Sequence, residues 1–136
     1  MSENRFEEVE HTADIAIRVW GADLPELFTN AAYGMASQLT DVDDVDLTIQ
    51  VEIELQAQDV EMLLVDWLSE LLYLGEQEDA VFVEFHISHA TSHTLHAVAR
   101  GGKIVEHQAH IKAVTFSEMD VRRIDDRYET IIVFDV

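Results

Sequence analysis

Between Leu47 and Gln56 the chain alternates without a break. Leu47, Ile49, Val51, Ile53 and Leu55 are apolar, and Thr48, Gln50, Glu52, Glu54 and Gln56 between them are polar. A period of two predicts a half-buried strand with the apolar set turned inward. Shorter strands are expected at Phe6–Val9 and from Ile15, where Ile15, Ile17 and Val19 alternate with Asp14, Ala16 and Arg18 on the polar side. Gly21-Ala22 turns the chain. Asp23 and Glu26 then form a capping box around Pro25, and Leu27, Phe28, Ala31, Ala32, Met35 and Leu39 recur at helical spacing. Gly34 inside that helix costs about 1 kcal/mol relative to alanine, which close packing would justify.

After an acidic loop at Asp41–Asp44 and the strand above, Asp59 caps a second helix. It is expected over Val60–Leu74 and closed by Gly75. Beyond it everything reads as strand. Val81, Val83, Phe85 and Ile87 point inward, as do Leu95, Ala97 and Ala99 after a turn near Thr91. Gly101-Gly102 is expected to turn a hairpin into a strand around His110–Phe116. Met119–Ile124 and Tyr128–Val136 make a last pair joined by Asp125-Asp126. This order predicts an α+β fold: a single two-layer domain over residues 1–136, with two helices packed on one face of a mainly antiparallel sheet.

At 136 residues and 48% hydrophobic, the chain has material for one core. It has no cysteine, hence neither disulfides nor thiolate metal sites, and no apolar run of the ~18 residues a membrane span needs. A reducing, cytoplasmic location is expected. A formal net charge of −20 argues against direct nucleic-acid binding, which needs clustered Lys and Arg. Six of the eight bases fall between Arg100 and Arg127, which places the cationic surface on the last strands. The remaining acid either keeps the protein soluble or faces a basic partner protein.

Three features could carry chemistry. Asp14 starts a strand, and Asp135 and Val136 end one; an antiparallel pairing of those strands at a sheet edge would bring three anionic groups together. Oxygen donors of that kind suit Ca²⁺ or Mg²⁺, although an Asp at a strand start more often serves a turn. His11 would orient Asp14 or pack at the strand start. Secondly, His86, His89, His93, His96, His107 and His110 crowd one region, and the expected hairpin sets His86 opposite His96. Zinc is a rival reading there to a solvated face, but no carboxylate at a suitable spacing completes a tetrahedral set. Lys112, in an otherwise apolar strand, either snorkels to the sheet edge or meets a carboxylate of the site. Phosphate-loop, GxSxG and HExxH signatures are missing, and Ser117 near His110 is merely a Ser and a His close in sequence.

Four segments, in order, resemble the archease family: Glu10-His11-Thr12-Ala13-Asp14-Ile15, the run Leu63–Leu74, Ile111–Thr115, and Val133-Phe134-Asp135-Val136. The third departs from the family pattern, with Phe116 and Ser117 where Tyr and His are common. The resemblance implies a non-enzymatic, metal-binding activator of the RNA ligase that joins 2′,3′-cyclic-phosphate or 3′-phosphate ends to 5′-hydroxyl ends in tRNA splicing. Such a helper promotes ligase guanylylation and multiple turnover. It also implies a divalent cation, typically calcium, on the positions matching Asp14, Asp135 and Val136. Two alternatives stand beside it: a small hydrolase using Mg²⁺ or Mn²⁺ to activate water, and an acidic chaperone-like module.

Overall fold

A computed structural model describes residues 5–9 and 14–136. Along the chain it contains β1 (Phe6–Val9), β2 (Ile15–Gly21), α1 (Leu24–Leu39), a 3₁₀ turn (Val42–Asp44), β3 (Ile49–Gln56) and α2 (Val60–Glu78). These are followed by β4 (Ala80–Ala90), β5 (Thr94–Lys103), β6 (Ala113–Thr115), β7 (Arg122–Ile124) and β8 (Arg127–Asp135). The fold is α+β, as expected, but the strands divide into two antiparallel sheets. One runs β1-β2-β8-β6, with β7 also on β8; the other runs β3-β5-β4. Helix α1 packs against β2 and β4 and so spans both sheets, while α2 lies on β4, β3, β5 and β6. No helix among the described residues is long and apolar enough to cross a membrane.

Both helices start as their sequences dictate. Asp23 Oδ1 accepts the Glu26 N–H at 2.9 Å, and Glu26 Oε1 accepts the Ala22 N–H at 3.1 Å. At α2, Asp59 Oδ1 accepts the Met62 N–H at 2.8 Å. Asp59→Ala is expected to lower stability by about 1 kcal/mol, read as a reduced urea midpoint with an unchanged m-value.

Glycine misled the sequence reading at two places, for one reason. Gly75 does not end α2, which runs on to Glu78 and stops at Asp79 in the left-handed region (φ 51°). A Cβ on Gly75 would stand 2.6 Å from the Ala80 carbonyl oxygen, so this glycine serves packing. Gly101 and Gly102 make no hairpin turn; they continue β5, pairing with Phe82 and Val81. A Cβ on Gly101 would overlap the Val81 carbonyl, and one on Gly102 the Asp46 carbonyl. The turn expected at Asp125-Asp126 is present (φ 51° and 65°), where two left-handed residues join Ile124 to Arg127 as a type I′ hairpin demands.

Other expectations need correction. Leu47 precedes β3 and is 46% exposed. Ala16, placed on the polar side, is buried. The segment around His110 is irregular until Ala113. It is tied down by Gln108 N–H to Leu39 O at 2.9 Å and Thr40 Oγ1 to Glu106 O at 2.8 Å.

One hydrophobic cluster joins α1, α2 and both sheets, with Trp67, Phe28, Phe134, Ile17 and Ile132 among its fully buried members. The Trp67 indole N–H donates to Phe28 O at 3.0 Å, and its ring meets Phe85 edge-on at 5.9 Å. Trp67 therefore ties α2 to α1 and to β4. Gly34 allows α1 to lie close over β1 and β2, since a Cβ there would stand 2.7 Å from Ile17 Cδ1 and 3.2 Å from Phe6 Cγ.

Candidate metal centre at the end of β8

Strand β8 is the inner strand on which the larger sheet is built. β2 pairs with it along nearly its whole length, from Gly21↔Tyr128 to Ile15↔Phe134. Asp14 and Asp135 each lie one residue beyond that last pair. On the other flank β6 pairs Ala113 with Asp135, and the Lys112 N–H donates to the Asp135 carbonyl at 2.7 Å. The strand that follows Asp14 and the strand that ends in Asp135 thus pair within the sheet and not at its edge, because β1 and β6 lie outside them.

The chemistry of this strand end follows from what surrounds it. Phe134 and Ile111 beneath are fully buried and anchor the backbone. Asp14 is half-buried, while Asp135, Val136 and Lys112 are exposed. Asp14 and Asp135 offer carboxylate oxygens there, and Val136 offers main-chain oxygens. This is a hard oxygen donor set, of the kind Ca²⁺ and Mg²⁺ accept. Lys112 holds Asp135 through its main chain, whatever its ammonium group meets. His11 lies outside the described residues.

The histidines distribute differently from the expectation. A register shift between Ile87 and His89 puts His89 opposite His96, while His86 faces Val98. His93 Nδ1 lies 3.3 Å from Ala57 O, and His107 Nε2 lies 3.0 Å from Asp79 Oδ1. The sequence reading missed the carboxylates near His96. Glu52 and Glu54 on β3 approach His96 Nε2 to 3.8 and 3.6 Å, and these three side chains could hold a metal ion. Their alternation on the outward face of β3 was visible in the sequence; the pairing of β3 with β5 was not.

A cavity of about 330 Å³ opens between α1, α2 and the irregular segment before β6. It is lined by Met35, Leu72, Ile104 and Ile111, with Asp79 and His107 contributing polar groups. The six late bases are spread, with Arg100 and Lys103 on β5, Lys112 before β6, Arg122 and Arg123 on β7 and Arg127 on β8, and several have local partners. Arg122 Nε donates to Asp120 at 2.7 Å, and Arg127 lies over Trp20 and donates to Glu129 at 3.1 Å. Arg18 pairs with Glu7 across β1 and β2. Among the described residues that surface is mixed in sign.

Comparison with known proteins agrees with this architecture. The family model described as Archease protein family (MTH1598/TM1083) matches residues 6–136. Protein archease of Methanopyrus kandleri is 38% identical over 139 residues, spanning 96% of this chain and 99% of that one. The Methanosarcina acetivorans protein of the same name is 35% identical over 140 residues, spanning 97% and 96%. The solution structure of Methanobacterium thermoautotrophicum protein 1598 superposes with a TM-score of 0.80 at 31% identity, covering 97% of this chain and 99% of that one. A Thermotoga maritima crystal structure, described as an archease and possible chaperone, gives 0.69 at 23% identity, with 100% and 98% covered, and shares the fold.

Proposed function

This chain belongs to the archease family, and on that premise we propose that it is a non-catalytic, cation-binding activator of an RNA ligase. The ligase is the type that joins 2′,3′-cyclic-phosphate or 3′-phosphate RNA ends to 5′-hydroxyl ends, as in tRNA splicing. The protein promotes the ligase's guanylylation and its multiple turnover.

The observation that carries this reading is the β2–β8 register, in which Ile15↔Phe134 is the last pair before Asp14 and Asp135. The residues that would hold the cation are Asp14, Asp135 and Val136. Calcium suits them best, since it tolerates mixed carboxylate and main-chain ligands, and Mg²⁺ and Mn²⁺ are the alternatives. Bound there, the cation would supply a positive centre on an otherwise acidic surface. The chain's own residues do the rest. β2 and β6 clamp β8 from both sides, the Lys112 N–H fixes the Asp135 carbonyl, and the net charge of −20 favours approach to a basic, RNA-handling ligase site.

The test is a turnover assay with a matching ligase held at substoichiometric concentration. Added protein is expected to raise ligated product from about one equivalent of ligase to many. A product yield that stays at one equivalent, or phosphoester hydrolysis by the isolated protein with Mg²⁺ or Mn²⁺, would overturn the activator reading.

A further inference from the structure

The outer face of the three-stranded sheet carries a second set of ligand-type side chains, with different chemistry. Glu52 and Glu54 are two apart on β3 and so share a face. Glu54 pairs directly with His96 on β5, and Glu52 is the diagonal neighbour, opposite Val98. One ligand atom from each of the three lies within 4.8 Å of the other two. All three therefore project from two strands whose backbones are fixed by a continuous ladder. The third strand adds an imidazole. Because β4 shifts register after Ile87, His89 stands opposite His96, and one row across the sheet reads Glu54, His96, His89. Glu54, His89 and His96 line the same surface depression. His89 Nε2 now lies 3.0 Å from Thr94 Oγ1, an exposed contact that a stronger partner could displace.

A simple ion pair would not require this arrangement. Exposed pairs of this kind contribute little, and a single glutamate would serve one histidine as well as two. One imidazole nitrogen with two carboxylate oxygens is instead a mixed N/O set, which favours zinc and its first-row neighbours over calcium. The excess of acid over base raises the local concentration of any cation. We propose that Glu52, Glu54 and His96, with His89 as fourth ligand, form a site for a divalent transition metal of the zinc class. It is separate from the oxygen-only site at the end of β8. A metal there would cross-link all three strands of the smaller sheet and stabilise the folded state by mass action.

The experiment is a ZnCl₂ titration of chelator-treated full chain, followed by calorimetry and by NMR of the histidine rings. One equivalent is expected to move the His89 and His96 resonances and leave His107 and His110 in place. His96→Ala and Glu54→Gln should each weaken binding roughly tenfold or more, whereas Asp14→Asn should not alter it. Circular dichroism establishes that the variants fold. Unchanged affinity in both variants would overturn the site. So would ring shifts spread evenly over all histidines, the mark of unspecific attraction to an acidic surface.

Discussion

Trp67→Ala is expected to lower the unfolding free energy by about 3–5 kcal/mol, the range for emptying a large buried aromatic site. The indole is fully buried, and its N–H bond to Phe28 O and edge contact with Phe85 join three elements at once. Truncation leaves a cavity between them that relaxation fills only in part. Trp67→Phe provides the calibration: most of the volume stays, and the loss should fall near the ~1 kcal/mol of one hydrogen bond plus a smaller void. Denaturant titration separates the two, with the midpoint moving and the slope holding. For a domain whose whole stability is on the order of 5–15 kcal/mol, the alanine variant stands near the edge of folding. Equal losses for the two variants would show that the ring's bulk is not what α1, α2 and β4 depend on.

The largest functional effect is expected from Asp14→Asn and Asp135→Asn. Each keeps the shape of the side chain and removes one anionic donor. Stimulation of ligase turnover should fall to the level of ligase alone. Thermal stability should shift within the ±0.5 kcal/mol usual for surface substitutions. The control is Asp43→Asn, in the exposed 3₁₀ turn, which removes the same charge far from the β8 end in sequence. If general acidity drove activation, all three variants would lose activity alike. If the strand end drives it, Asp43→Asn keeps full stimulation. Calorimetry with CaCl₂ supplies a second readout: both site variants should lose binding, and the Asp43 variant should retain it.

Local features were the legible part of the fold. Side-chain caps act within three or four residues, so Asp23, Glu26 and Asp59 could be read directly. The alternation of β3 held at Ile53, Glu52 and Glu54. The strands that follow Asp14 and precede Asp135 were legible from their apolar runs, whereas their pairing stood only as a condition. What failed depended on neighbours remote in sequence. Gly101 and Gly102 carry the composition of a turn, yet their role is set by the carbonyls of Val81 and Asp46. Gly75 is retained for the approach of Ala80. An ideal hairpin sets His86 opposite His96, and the register shift after Ile87 puts His89 there instead. The division into two sheets has the same origin, since a strand's face can be read from its period but its partner cannot. The glutamates beside His96 were overlooked for that reason: β3 and β5 are separated by a helix and another strand.

The place of β8 has a consequence for the order of events during folding. It pairs with β2 across more than a hundred residues of intervening chain, whereas β3, α2, β4 and β5 are consecutive. Short loops close first and long ones late. The smaller sheet and its helix can therefore assemble as an early nucleus, and the larger sheet waits for its keystone. If Asp14 and Asp135 share the proposed cation, they can do so only after that final closure, and calcium binding would then report that the polypeptide has finished folding.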